Sequence, residues 1–273
     1  MDAHFVAQAN KLVFNVALPV MLFFAISQRS FSETIDLPLT LVGLGGTLAL
    51  VGLLLVVGRL VPEDQRGVFV QGSYRGNLAI LGVALTVAAY GEDALPIVAV
   101  YIAVVTTAYN ILAVWVLNSS GLIRQLLKNP ILIGIGAGVM VSALDIHIPA
   151  VLSSTADYIA GMTLPLALLC IGATLDFSSL LSHGRSISLA VFFKLIISPL
   201  LLVGLGVAFG LGGEQLGILF FMAASPTATA SYIMARQMTS HGPLAAEIVA
   251  VTTAMGVVSY TLGLAALRSF GLV

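Results

Sequence analysis

The sequence predicts an all-α membrane protein, and three observations carry that prediction. Of the 273 residues, 59% are hydrophobic and 8% charged, with a mean hydropathy of +1.09, whereas a soluble domain averages about 45–50% apolar and about 25% charged residues. The apolar residues gather in windows near the ~20 residues a helix needs to cross the hydrocarbon of a bilayer. Those windows lack the ten-residue alternation of a barrel strand, and a helix satisfies its own backbone groups in lipid.

Nine windows appear in order, at 5–27, 38–60, 67–90, 95–117, 130–148, 150–175, 186–211, 215–236 and 244–267, separated by charged or Gly/Pro punctuation. Nine transmembrane helices are therefore expected. Placing the loop that holds Arg124 and Lys128 in the cytoplasm puts Lys11, Arg59, Arg66, Arg185 and Arg236 on the same side, with Arg29 and Arg268 opposite; that asymmetry orients a multi-pass protein of the cell (inner) membrane. The first residues show no secretory signal.

Composition also excludes whole function classes. The net charge is -1 and no Lys/Arg cluster with interleaved aromatics occurs, so nucleic acid is not a partner. Cys170 is the lone cysteine and reads as a small packing residue. His4, His147, His183 and His241 stand at separate places, without metal-ligand spacing, and the carboxylates form no motif for Mg-diphosphate; no metal, cofactor or enzyme activity is expected.

The chain also carries an internal echo. Leu18-Pro19-Val20-Met21-Leu22 parallels Leu164-Pro165-Leu166-Ala167-Leu168 at an offset of 146, and Ile97-Val98-Ala99-Val100 recurs as Ile248-Val249-Ala250-Val251 at an offset of 151. Apolar tetrapeptides recur by chance, but preserved order and comparable windows favour duplication. Residues 1–118 then form a first repeat, 119–129 a short cytoplasmic linker and 130–273 a second repeat. The second holds five windows and the first four, so the complete protein is expected to have ten spans, with one more helix ahead of Met1. Five spans per repeat make the halves inverted, an arrangement used by alternating-access carriers.

Such carriers bind solute near midplane, where interrupted helices free backbone groups. Two windows look interrupted. One holds Gln71-Gly72-Ser73-Tyr74-Arg75-Gly76-Asn77 and then Gly82; the other, at the duplicated position, holds Ala224-Ser225-Pro226-Thr227-Ala228-Thr229-Ala230-Ser231. Their half-helix N-termini would offer N–H groups to an anion, with Arg75, Asn77, Ser225, Pro226, Thr227 and Thr229 as binding candidates. The competing reading is close helix packing plus a proline kink. Pro19 and Pro165 either open carbonyls toward the same cavity or only kink their helices. Arg75 either counters the anion or snorkels to the interface. Asp157, Glu247 and Lys194 are candidates for handling a coupling ion or proton, against an interfacial role for each. Asn15 and Asn110 read as packing amides.

Taken together, Lys11-Leu12-Val13-Phe14 leading to Leu18-Pro19, Arg75-Gly76-Asn77 with Gly82, Lys128-Asn129-Pro130, Leu164-Pro165-Leu166 with Gly172, and Ala224-Ser225-Pro226 continuing to Ala235 resemble the auxin efflux carrier family of permeases. The prokaryotic members of that family include malonate and malate carriers. The resemblance covers nearly the whole chain. It implies two inverted five-helix repeats whose broken helices, carrying Asn77 and Pro226, cross at midplane, with Pro19 and Pro165 on scaffold helices facing the site. It also implies secondary transport of a small organic anion, a mono- or dicarboxylate, with proton or sodium coupling and a homodimer as further expectations. A receptor or a channel on the same scaffold is the alternative. Family members usually carry proline where this chain has Ala84, so a less sharply broken first crossing helix is expected.

Overall fold

The computed structural model describes residues 3–28, 35–117, 128, 130–163, 165, 166, 169, 170 and 184–273. Nearly all of these are helical. The linker expected at 119–129, except Lys128, lies outside the described residues, as do Arg29, Arg124, Leu164, Gly172 and His183.

Helix α1 (Ala3–Leu12) passes through a π-helical turn (Val13–Ala17) into α2 (Leu18–Ser27), followed by α3 (Leu37–Val57) and α4 (Arg66–Tyr74). A second π-helical turn (Leu78–Gly82) leads into α5 (Val83–Tyr90), then α6 (Leu95–Val116), α7 (Pro130–Ala143) and α8 (Ala150–Gly161). Helix α9 (Arg185–Phe192) enters a third π-helical turn (Phe193–Ile197) and α10 (Ser198–Ala208), and α11 (Gly213–Ala224), α12 (Thr229–Met238) and α13 (Gly242–Ser269) complete the order.

Among the described residues five stretches are long and apolar enough to cross a membrane: His4–Ser27, Leu37–Leu60, Glu92–Val116, Arg185–Ala208 and Gly242–Ser269. The windows predicted at 67–90 and 215–236 are each split into two helical pieces. The window at 130–148 gives a helix of 14 residues, about 21 Å long. Between 28% and 50% of each crossing window is buried, while Leu41, Val56, Trp115, Leu200 and Leu262 are exposed. An apolar exterior around an apolar core suits lipid as the surrounding solvent.

Local chemistry sets the helix ends. Asp36 caps α3 by accepting from Leu39 N–H at 3.0 Å, Pro38 occupies its first turn, and such pairing is favourable because early N–H groups lack helical partners. The other Asp36 oxygen accepts from Gln215 Nε2 at 2.6 Å, pinning the start of α11 to the start of α3. Two of the π-helical turns end just ahead of Pro19 and Pro199. Pro199 has no N–H for Leu195 O, one turn back; the Ser259 hydroxyl of α13 donates to that carbonyl instead. The same turn re-aims Lys194 into the interior, where it has no exposed surface.

Glycine lets α7 lie directly on α2. A Cβ at Gly134 would stand 2.7 Å from Pro19 O, and one at Gly138 2.8 Å from Phe23 O; backbone cannot yield as a side-chain tip can, which is why small residues four apart recur where membrane helices touch. Gly136, between them, faces open space. We predict that Gly134→Val lowers the melting temperature of the detergent-solubilised protein by an amount corresponding to about 1–3 kcal/mol of overpacking. Gly136→Val is expected to leave it within error, and equal melting points for the two variants would refute this packing.

Candidate functional site at the helix crossing

Helix α4 ends at Tyr74 because Arg75 turns extended, with φ -77 and ψ 94, and glycine follows. Helix α11 ends at Ala224, where Ser225 turns extended with φ -57 and ψ 133 ahead of Pro226. The two breaks meet. Gly76 and Thr227 form an antiparallel bridge, in which Asn77 N–H donates to Pro226 O at 2.7 Å and Ala228 N–H donates to Arg75 O at 2.9 Å.

Several other groups freed by the breaks are also partnered. Pro226 withholds an N–H from Met222 O, and the Ser225 hydroxyl donates there at 2.7 Å. Gly72 O receives the Thr227 hydroxyl at 2.7 Å, while Thr227 N–H donates to the Thr252 hydroxyl at 3.1 Å. Ala223 O accepts from Lys194 Nζ at 3.0 Å and from the Ser198 hydroxyl at 3.3 Å. Buried backbone polar groups left unpaired would each cost on the order of 1–3 kcal/mol, so these side chains make the breaks tolerable in an apolar setting.

Close approach needs the glycines here. A Cβ at Gly76 would stand 2.7 Å from Ser225 Oγ and 3.1 Å from Lys194 Nζ, and one at Gly82 would stand 2.8 Å from Met222 Sδ. Lys194 therefore sits directly behind the Gly76 backbone. Arg66 pairs with Glu63, and His241 Nε2 lies 3.1 Å from an Asp64 oxygen; among the described residues neither Lys194 nor Arg75 has a carboxylate partner.

The sequence-predicted residues distribute as follows. Gly76, Asn77, Ser225, Pro226 and Thr227 come together at the crossing. The Asn77 side chain is half-buried and makes no hydrogen bond among the described residues, and Thr229 is exposed at the first position of α12. Arg75 does not snorkel. Its side chain is buried, donating to Asn110 Oδ1 at 2.7 Å, Tyr109 O at 3.4 Å and Met234 Sδ at 3.3 Å. Asn110, read from sequence as a packing amide, is thereby an arginine acceptor.

Pro19 is buried with its carbonyl toward Gly134, whereas Pro165 is exposed; no hydrogen bond among the described residues draws either to the crossing. Asp157 and Glu247 lie on exposed helix surface. Ala84 is buried within α5 and the helix runs on through it; the break lies earlier, at Arg75 to Asn77. Sequence reasoning missed Thr252 and Ser198, ordinary hydroxyls in apolar runs, and read Lys194 as a coupling-ion candidate without tying it to the crossing, although a basic residue five positions ahead of a mid-span proline was visible. No group of three His, Cys, Asp or Glu converges among the described residues.

Known proteins place this geometry in context. Residues 6–263 match the family described as "Membrane transport protein". A protein of Rhizobium meliloti (strain 1021) named "Putative malonate transporter" is 26% identical over 275 residues, spanning 92% of this chain and 84% of its own length. An "Uncharacterized transporter" of Methanothermobacter thermautotrophicus (strain Delta H) is 22% identical over 261 residues, spanning 93% of this chain and 86% of its own. With nearly the whole chain matched, and with apolar helices fit for several passes through a membrane, this chain belongs to the membrane transport protein family, that of the auxin efflux carriers.

Proposed function

We propose that the chain is a secondary carrier that moves a small organic anion, a mono- or dicarboxylate, across the membrane by alternating access. The observation that carries this reading is Lys194, a basic side chain with no exposed surface, set behind the point where two helices are broken and lacking a carboxylate partner among the described residues. Beside it begin two helical segments, at Leu78 and Thr229, whose positive ends face the crossing and favour negative charge. In a low-dielectric interior these contributions reinforce one another more than they would in water. Asn77 and Thr229 offer the accessible polar groups.

The chain is further read as nine spans in two inverted sets, each set contributing one broken helix. The reciprocal exchange of one N–H and one carbonyl between the breaks supports that reading, as does the position of the bridge partners Gly76 and Thr227, which stand at the same offset as Ile97 and Ile248. The name of the Rhizobium relative makes malonate the first substrate to try. Purified protein in proteoliposomes distinguishes the alternatives: saturable, gradient-driven malonate uptake is the carrier result, binding without flux the receptor result, and non-saturating current the channel result. Imposed proton and sodium gradients then identify the coupling ion.

Three substitutions separate recognition from folding. Lys194→Met removes a buried charge that lacks an ionic partner, while Ser198 still serves Ala223 O; replacing buried ions by apolar residues is often neutral or stabilising. We predict an unchanged or raised melting temperature and at least about a tenfold loss of uptake, the equivalent of ~1.4 kcal/mol or more. Undiminished uptake by this variant would remove the central support. Asn77→Ala is expected to reduce transport with protein levels intact. Thr227→Val, in contrast, strips Gly72 O of its donor and is expected to lower stability by about 1–3 kcal/mol along with transport, as measured by thermal unfolding in detergent.

A further inference from the structure

We infer that Gln71, Arg75 and Ser231 form a second carboxylate station on the face of the crossing opposite Lys194. The inference rests on the reading that this chain handles carboxylates. Side chains alternate along extended backbone, so Arg75 projects to the other side from the Cβ direction of Gly76, which points at Lys194. The two buried cations are thus held apart by one strand-like segment, each facing its own surroundings.

The environment of Arg75 is short of good acceptors. Its five N–H donors meet Asn110 Oδ1, Tyr109 O and the thioether of Met234. All three partners are neutral, and sulfur is a weak acceptor. Gln71, one turn earlier on α4, gives its Nε2 to the same sulfur at 3.6 Å, leaving its Oε1 buried without a partner. Ser231 shares the Met234 face of α12 by its three-residue spacing, and its hydroxyl is also buried without a partner. The Arg75 guanidinium and the Gln71 amide N–H thus share one weak sulfur acceptor, and the Ser231 hydroxyl on the same face has no partner; the ligand that suits surplus donors is an anion.

Buried polar atoms are almost always hydrogen-bonded, and the unpartnered Ser231 hydroxyl near an arginine held in part by sulfur calls for a cause; Gln71 Oε1 is itself an acceptor, and it is the amide N–H of Gln71 that a carboxylate would engage. A carboxylate accepts from a guanidinium in a bidentate fork, and the amide and hydroxyl would complete its acceptor positions. Met234 is the adaptable element. Its unbranched chain, with three rotatable bonds, can swing aside as the carboxylate takes its place. Arg75 itself is a poor residue to test, because its backbone builds the crossing. Gln71 and Ser231 are better: if they are merely unsatisfied core atoms, replacing them with apolar groups stabilises the fold and changes nothing else.

The test is equilibrium binding of radiolabelled malonate, and separately acetate, to the full chain in detergent, for the wild type, Lys194→Met, Gln71→Met/Ser231→Ala and all three substitutions combined. We expect two classes of site in the wild type, with Lys194→Met losing one class. Gln71→Met/Ser231→Ala should weaken the other about tenfold without lowering the melting temperature. A double variant whose isotherm overlays that of the wild type overturns the second station, and Lys194→Met then decides the crossing site by itself. Loss in the double variant but not in Lys194→Met leaves the second station standing and removes the first. A wild-type protein that binds neither anion overturns both.

Discussion

Everything near the centre of this molecule follows from one exchange of main-chain hydrogen bonds. Asn77 N–H goes to Pro226 O and Ala228 N–H goes to Arg75 O, so each broken helix repairs the other. In water a frayed helix end costs little, since solvent replaces the lost partners. In hydrocarbon no solvent exists, and irregular backbone persists only where protein satisfies it or where it lines a cavity. The breaks at 75–77 and 225–228 are therefore mutually dependent.

That dependence explains the composition around them. The two breaks arise from different chemistry: glycine and asparagine on one chain segment, Ser225-Pro226 on the other. Both release the same kinds of group, and the repairs come from hydroxyls within the breaks and on neighbouring helices. Thr227 serves Gly72 O, Thr252 serves Thr227 N–H, Ser198 serves Ala223 O and Ser225 serves Met222 O. Glycine at 72, 76 and 82 then allows Ile248, Ser225 and Met222 to come close enough to complete the seal. Polar residues in the interior of so apolar a protein are thus mostly spoken for by backbone. Among the described residues Asn77, Gln71 and Ser231 each keep a side-chain polar atom without a partner, and it is to these that the proposed ligands are assigned.

How much of this was legible in the sequence depends on the length scale of the signal. Long apolar windows at 38–60, 95–117, 186–211 and 244–267 became helices within a few residues of those bounds, because hydrophobicity summed over twenty positions is a strong and local signal. The two interruptions were equally visible, since glycine and proline act on their own backbone. The environment of a single charge was not. Arg75 and Lys194 both read as ambiguous cations in apolar runs, because whether a long side chain snorkels or turns inward depends on partners far away in sequence, such as Asn110 for the one and Ala223 for the other. The π-helical turn at Phe193–Ile197 that swings Lys194 inward has no signature beyond the proline that follows it.

The electrostatics of Lys194 weigh function against mere packing. As a cap for the C-terminal end of α11, an ammonium on Ala223 O gains a turn's worth of dipole attraction, at most ~2 kcal/mol in a partly buried setting. Taking one ammonium out of water costs several kcal/mol even after relaxation. The gain does not cover the cost, and Ser198 already provides a neutral donor to the same carbonyl. A purely structural role would be filled better by an apolar side chain. On the proposed function, an anion that arrives and leaves would recover the difference, since an arriving carboxylate would supply the missing countercharge and stabilise the occupied protein relative to the empty one. A carrier needs that asymmetry, because the site must hold its solute firmly enough to select it and must be no stable resting place for bound water or a fixed carboxylate. On that proposal the absence of acidic partners for this lysine among the described residues is a requirement, and the crossing that holds it in place is the device that would meet it.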